Sequence, residues 1–243
     1  MANYWNIVKK VIEEADVLLL VLDSRLVDMT KNAEVEDKVI KAGKPLINVY
    51  TKSDLINRRA PPELPFGSVM VSSKKFEGLS QLRERILIEG KKKYGNRQRF
   101  LVGVLGYPNV GKSSLINAMK GTHSASTSPQ SGHTKGVQKI KSDNRIMLID
   151  TPGVLPYREN NVVKHSIIGS IDYGKEKEPD LAILNIMEMF PDKIESYYHL
   201  TGHGEDAIIE IALKNHMIMK GNLPDIIRAA RFILKEWQEG KIR

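Results

Sequence analysis

At 243 residues, with 41% hydrophobic and 27% charged side chains, the chain has the make-up of a folded globular protein, which excludes a disordered tail or a fibre. The best candidate for a membrane span, Val17 to Leu22, ends at Asp23, far short of the ~18 apolar residues required, and zero cysteines remove disulfides and thiolate metal sites, so no membrane partner and a cytoplasmic location are expected. The net charge of +8 is gathered in one block, because residues 91–145 hold 11 Lys and Arg against the single acid Asp143; such a block suits an anionic partner.

Six short β-rich runs follow one another: Val17 to Leu22, Leu46 to Tyr50, Ser68 to Val71, Phe100 to Leu105, Val137 to Lys141 and Ile146 to Ile149. Helical patterns separate most of them, over Tyr4 to Glu14, Asn32 to Ala42, Leu79 to Lys93 and Ser113 to Lys120. This alternation predicts an α/β domain with a mostly parallel six-stranded sheet covered on both faces. Beyond Gly153 the pattern predicts helices without strands: Asp180 to Phe190, Glu205 to Met219 and Pro224 to Glu239. In the last of these, Ile226, Ile227, Ala230, Ile233, Leu234 and Trp237 form one apolar stripe, the mark of a small all-helical domain. Lys91 to Arg99 reads as a linker.

Gly106-Tyr107-Pro108-Asn109-Val110-Gly111-Lys112-Ser113 follows a strand and opens a helix. Such a loop wraps phosphates with successive backbone N–H groups, here those of Asn109, Val110, Gly111, Lys112, Ser113 and Ser114, at the positive end of a helix. Lys112 is placed to reach the β- and γ-phosphates, and the Ser113 hydroxyl to bind Mg²⁺. Asp150, ending the strand in Asp150-Thr151-Pro152-Gly153, is the expected second metal partner, with the Gly153 N–H meeting the γ-phosphate. Between these motifs, Gly121 to Gly136 reads as a switch loop in which Thr134 is the favoured further Mg²⁺ ligand, with Thr127 and Ser128 as rivals. Lys112, Thr134 and Gly153 are thus the groups expected to meet the reacting phosphate.

Guanine presents two adjacent N–H donors that a single carboxylate accepts together. Thr51-Lys52-Ser53-Asp54 ends the second strand, so Asp54 can accept that edge while the Lys52 stem lies along the ring. Ser72-Ser73-Lys74 ends the third strand and offers a backbone N–H to guanine O6.

These motifs resemble those of translation-factor-type GTPases, but the base motifs precede the P-loop. With Asp23-Ser24-Arg25 after the first strand, the order resembles the circularly permuted ribosome-assembly GTPases of YlqF/RbgA type. The resemblance implies a GTPase domain over residues 1–158 and a helical domain over 159–243. It further implies GTP and GDP as ligands, slow hydrolysis, and a ribosomal particle, chiefly the large subunit and its rRNA, as partner. It implies K⁺ held near the phosphates by Asn109. Two features depart from the family's usual pattern. Thr51 replaces an Asn and is expected to bridge less well to the P-loop. No histidine precedes His123, so no catalytic histidine is assigned. Val154, where Ras-like enzymes carry a water-orienting Gln, resembles the family, which is hydrophobic at that place. Candidate RNA contacts are Lys91, Lys92, Lys93 and Arg97 at the expected junction, and Arg228, Arg231 and Lys235 along one face of the last helix. A nucleotide-dependent RNA-binding module with negligible turnover is the alternative function.

Overall fold

The computed structural model describes residues 2–56, 63–120, 138–153, 155, 159 and 161–242. The chain divides into two compact units, Met1–Glu159 and Asn160–Arg243. In the first, α1 (Ala2–Glu14), β1 (Val17–Asp23), α2 (Val27–Thr30), α3 (Ala33–Lys41), β2 (Leu46–Thr51), β3 (Val69–Met70), α4 (Leu79–Tyr94), β4 (Phe100–Gly106), α5 (Lys112–Lys120), β5 (Gln138–Lys141) and β6 (Ile146–Asp150) succeed one another. All six predicted strands are present; Val137 and the whole predicted switch loop, Thr134 included, lie outside the described residues.

The sheet runs β3-β2-β1-β4-β6-β5, with every pair parallel except β5 against β6. All seven residues of β1 are buried, as expected of a central parallel strand covered on both faces. Leu18, Leu20 and Leu22 share one face by the two-residue period and pack with Val8, Val11 and Ile12 of α1 and Val35 and Val39 of α3.

This strand order determines where a ligand binds. From β1 the chain proceeds outward through β2 to β3, whereas from β4 it proceeds the other way, to β6 and β5. Neighbouring parallel strands whose connections diverge leave a crevice beyond their carboxyl ends. Here the crevice opens at β1 and β4, whose register pairs Val21 with Gly106. Gly106 is needed at that place, since a Cβ on it would lie 2.5 Å from the Val21 carbonyl oxygen.

At one boundary two expectations overlap, a helix to Lys93 and a linker from Lys91, and the helix holds. Lys91, Lys92 and Lys93 belong to the last turn of α4, where cations suit the negative helix end, so the linker shrinks to Gly95 through Arg99.

The second unit comprises α6 (Val162–Ile167), α7 (Pro179–Met189), α8 (Lys193–Tyr198), α9 (Glu205–Lys214), β7 (Ile218–Met219), β8 (Leu223–Pro224) and α10 (Ile226–Gln238). It is helical but not all-helical, because β7 and β8 form a two-stranded antiparallel hairpin. α9 stops at Lys214 rather than Met219, as His216 takes a left-handed φ of 51° that no helix continues through. On α10, Ala229, Ala230, Ile233, Leu234 and Trp237 are buried, whereas Ile227 is exposed, so the core stripe begins one residue group later than its sequence suggests. The Trp237 indole donates to the Ile167 carbonyl at 3.0 Å, and Gln238 donates to Ser166 and Ile171 carbonyls at 2.8 and 3.0 Å, which fixes α10 against the end of α6. No helix among the described residues is long and apolar enough to cross a membrane.

Candidate nucleotide-binding site

The carboxyl ends of β1, β2, β3, β4 and β6 carry Asp23, Thr51, Ser72, the P-loop and Asp150 in turn, which brings the phosphate-side and base-side motifs to one edge of the sheet. In the P-loop, Asn109 and Gly111 have positive φ values of 59° and 99°, the curled backbone that turns successive N–H groups inward. Ser113 and Ser114 are exposed at the start of α5, with their N–H groups at the positive end of the helix dipole.

Lys112 is buried, and its ammonium donates to the Gly106 and Tyr107 carbonyls at 3.0 and 2.5 Å. Of its three N–H donors these use two and leave a third for phosphate. Burial pulls Lys112 down to about 8, with the Asp150 carboxylate acting in the opposite direction. Asp150 is itself buried at the end of β6, and the next residue, Thr151, donates to the Val104 carbonyl at 2.5 Å, tying the metal motif to β4. Ser113 and Asp150 are hard oxygen donors of the kind that suit Mg²⁺, which takes one or two protein oxygens and completes its shell with phosphate and water. A Cβ on Gly153 would lie 2.5 Å from Pro108 Cα and N, so the metal motif and the P-loop touch through the one residue that permits it.

Tyr107, wholly buried, donates to Glu159 at 2.9 Å, and burial together with that carboxylate pushes its hydroxyl well above the usual phenol range. Sequence patterns gave no sign of this pair, since 52 positions separate its members.

On the base side, Thr51 does reach the P-loop. Its hydroxyl bonds the Val110 carbonyl and lies 2.9 Å from the Leu22 carbonyl, both acceptors in the buried interior. The expectation of a weaker bridge is therefore corrected: Thr51 lies directly under Gly111, whose added Cβ would sit 3.4 Å from the Thr51 hydroxyl, so a short side chain suffices. Ser72 donates to Asp54 Oδ1 at 2.7 Å, aligning that carboxylate and leaving lone pairs for a purine edge. The Ser72 N–H is already used on Glu77 O at 3.1 Å, which leaves Ser73 and Lys74 to offer the backbone donor for guanine O6. The Ser73 hydroxyl is buried with no hydrogen-bond partner among the described residues. Lys52, at a left-handed φ of 56°, places its ammonium 2.7 Å from Asp23, a contact the sequence reading missed although Asp23 pairs with Thr51 in register.

The candidate RNA residues are distributed unevenly. Lys91, Lys92 and Lys93 are exposed, whereas Arg97 is bound to Asp16 at 2.9 Å and lies over the Tyr94 ring. Arg228 is exposed, Arg231 donates to the Glu176 carbonyl at 3.4 Å, and Lys235 stands over Tyr173.

Fold and site together define a nucleotide-binding protein of the P-loop class in which the base-side strands precede the phosphate-side strands. A family model described as a 50S ribosome-binding GTPase matches residues 101–216. An uncharacterized GTP-binding protein of Methanocaldococcus jannaschii is 39% identical over 98% of this chain and 65% of its own. The nuclear GTP-binding protein NUG1 of Saccharomyces cerevisiae is 30% identical over 98% of this chain and 55% of its own. The chain thus spans just over half to just under two thirds of the length of these relatives. Among solved structures, GNP-bound YlqF from T. maritima superposes with a TM-score of 0.69 at 19% identity, covering 98% of this chain and 94% of that one, which is a likeness of fold. The chain is thus similar in sequence to GTP-binding proteins and shares the fold of YlqF.

Proposed function

We propose that the chain binds GTP, hydrolyses it slowly to GDP and phosphate, and uses the cycle to join and leave a ribosomal particle, the large subunit in particular, through rRNA. The observation that carries the reading is the convergence of Thr51 on the Val110 carbonyl and of Ser72 on Asp54, which unites the base motifs and the P-loop in one crevice. In this reading residues 1–158 are the GTPase domain and 159–243 the RNA- or ribosome-binding domain. Asp54 accepts the guanine edge, the Lys52 stem underlies the ring, and Ser73 or Lys74 donates to O6. Backbone N–H groups from Asn109 to Ser114, with Lys112 and the Gly153 N–H, meet the phosphates. Ser113 and Asp150, joined by Thr134 of the switch loop, would hold Mg²⁺, which supplies neutralisation of phosphate charge.

Asn109, exposed and at a positive φ of 59°, is the proposed K⁺ partner; faster hydrolysis in K⁺ than in Na⁺ at equal ionic strength supports it, and equal rates remove it. RNA contact is assigned to Lys91, Lys92, Lys93 and Arg97, supported by the basic block over residues 91–145, and to Arg228, Arg231 and Lys235 on α10; the matching family is one of 50S ribosome-binding GTPases. The cytoplasm is the proposed location, supported by the lack of cysteines, although two relatives are named nuclear and nucleolar. The test is single-turnover GTP hydrolysis with and without isolated large subunits, beside co-sedimentation in GTP-analogue, GDP and nucleotide-free states. Nucleotide-dependent co-sedimentation with accelerated hydrolysis is the expected result. Nucleotide-dependent binding with no turnover selects the RNA-binding module instead, and no subunit binding in any state refutes the partner.

A further inference from the structure

At the end of β1, a buried carboxylate outside the P-loop and the base motifs joins two part-buried cations, Arg25 and Lys52 of the base motif. The Asp23 carboxylate is 1% exposed. Arg25 grips it from two sides, Nη2 at 2.8 Å from Oδ2 and Nε at 3.1 Å from Oδ1, while the Arg25 backbone N–H donates to Oδ1 at 3.0 Å. The Asp23 N–H is held in turn by the Thr30 hydroxyl at 3.1 Å. This is a carboxylate fixed on every side before any ligand arrives. Its second cationic partner is the Lys52 ammonium at 2.7 Å. Between them, Ser24 binds the same strand end, its N–H donating to the Thr51 carbonyl at 3.0 Å and its hydroxyl at 2.5 Å.

Lysine is an odd residue for such rigidity. Its side chain has four rotatable bonds, and ordering them costs rotamer entropy when a ligand has to do it. Lys52 also sits in the left-handed region, which a residue other than Gly or Asn rarely adopts without tertiary support. Both ends of the residue are therefore held, the backbone by the Thr51 turn and the ammonium by Asp23. Between two fixed ends, the four-carbon stem is laid out as a preformed apolar strip beside Asp54.

We propose that Asp23 is a positioning residue for the purine base, tethering the Lys52 ammonium so that the Lys52 stem is ordered as a stacking floor before nucleotide binds. The inference rests on the assignment of Lys52 and Asp54 to the base site and deepens it. The roles divide by chemistry. Asp54 reads the ring edge and so sets which purine is taken, whereas the tethered stem contacts the ring face and so adds the same affinity to any purine. Pre-ordering lowers the cost of binding without adding a contact to the ligand. Burial opposes ionisation of Asp23, but the Lys52 and Arg25 charges more than overcome it and hold the carboxyl well below the usual range, whereas burial draws the Lys52 ammonium below its usual range against the pull of Asp23.

The test titrates the full chain with GDP, inosine diphosphate and inorganic pyrophosphate, for wild type, Asp23→Asn, Lys52→Ala and the double variant. Asp23→Asn turns an amide N–H toward two cations and releases Lys52. It is expected to weaken GDP and inosine diphosphate by the same factor, about tenfold on the scale of one charge-assisted contact, and to leave pyrophosphate unchanged. In the Lys52→Ala background, where no stem remains to be positioned, Asp23→Asn is expected to cost nothing further. Additive losses, unchanged GDP affinity in Asp23→Asn, or a parallel fall in pyrophosphate affinity each overturn the tether. Should Asp23→Asn fail to give a cooperative thermal transition, Lys52→Met takes its place, since it keeps the stem and loses the tether. It must then lose the same factor, and wild-type affinity in it refutes the proposal. A wild-type protein that binds pyrophosphate but shows no added affinity for either purine nucleotide removes the base site itself, whereas a wild type that selects GDP while the variants behave additively removes the tether alone.

Discussion

Replacing Thr51 with Val keeps shape and deletes one hydroxyl, which makes it a clean probe of how the base strand supports the phosphate loop. Thr51 is 1% exposed, and its hydroxyl is shared between the carbonyls of Val110, in the P-loop, and Leu22, at the end of β1. No water replaces it in a site that closed, so the substitution leaves a buried carbonyl unsatisfied at a cost of about 1–3 kcal/mol. For a unit of this size each kcal/mol lowers Tm by about 2–4 °C, which predicts a fall of roughly 2–12 °C. Val110 and Gly111 belong to the N–H cradle, so part of that cost reappears as lost order in the loop; if half does, GDP affinity drops roughly two- to tenfold. Thermal unfolding by circular dichroism, with and without saturating GDP, and calorimetric titration of GDP read both quantities, with Thr51→Ser as the control that keeps the hydroxyl. A Val variant that matches wild type in Tm and in GDP affinity would refute the bridge.

Gly153→Ala forces a Cβ to within 2.5 Å of Pro108 backbone atoms, nearly 1 Å closer than ordinary contact, so the P-loop and the metal motif must separate; a loss of about 1–3 kcal/mol in stability and of any preference for a GTP analogue over GDP is expected, and a variant with both unchanged contradicts the contact. Lys112 titrates near 8 in the folded chain, below the ~10.4 of a free lysine, so the uncomplexed protein gains stability as pH rises from 8 toward 10. Phosphate recharges the amine, so GDP affinity is expected to fall above pH 8, with proton uptake on binding at pH 8.5 visible as a buffer-dependent heat; heats independent of buffer would place the lysine away from the phosphates. Trp237→Phe removes the indole bond to the Ile167 carbonyl and is expected to cost the second unit about 1 kcal/mol in denaturant unfolding, an effect that should leave GDP affinity untouched.

The fold was legible in the sequence wherever burial dictates residue type over several positions. β1 and β4 are apolar on both faces, and that alone separates them from their surroundings. The P-loop and Asp150 were legible because their glycines and charges stand at fixed offsets along one segment. What escaped notice was tertiary or too short to have a pattern. β7 and β8 have two residues each, too few for an alternation, and the turn Lys220-Gly221-Asn222 between them reads equally well as a break between helices. α9 ends without Gly or Pro, at Asn215 and a left-handed His216, so its apolar period runs on past the true end. Lys91 to Lys93 have a linker's composition but are held in α4, whose buried side is set by Leu79, Leu82 and Ile86 a turn or more earlier. The Thr51 bridge and the Asp23 contact with Lys52 depend on which strands are neighbours, and local sequence does not carry that; only the β3-β2-β1-β4 order puts Asp23 beside Thr51 and Val110 above it.

The central claim is that Asp54 and the P-loop form one guanine-selective site in spite of the permuted order. Titration of the full chain and of Asp54→Asn with GDP, ADP and xanthosine diphosphate in Mg²⁺ tests it directly. Xanthine carries an oxygen where guanine carries its exocyclic amine, so the wild type should select GDP over both others, and Asp54→Asn should weaken GDP while improving xanthosine diphosphate. Equal binding of GDP and ADP by the wild type, or an Asp54→Asn variant with undiminished affinity for GDP, would contradict the account.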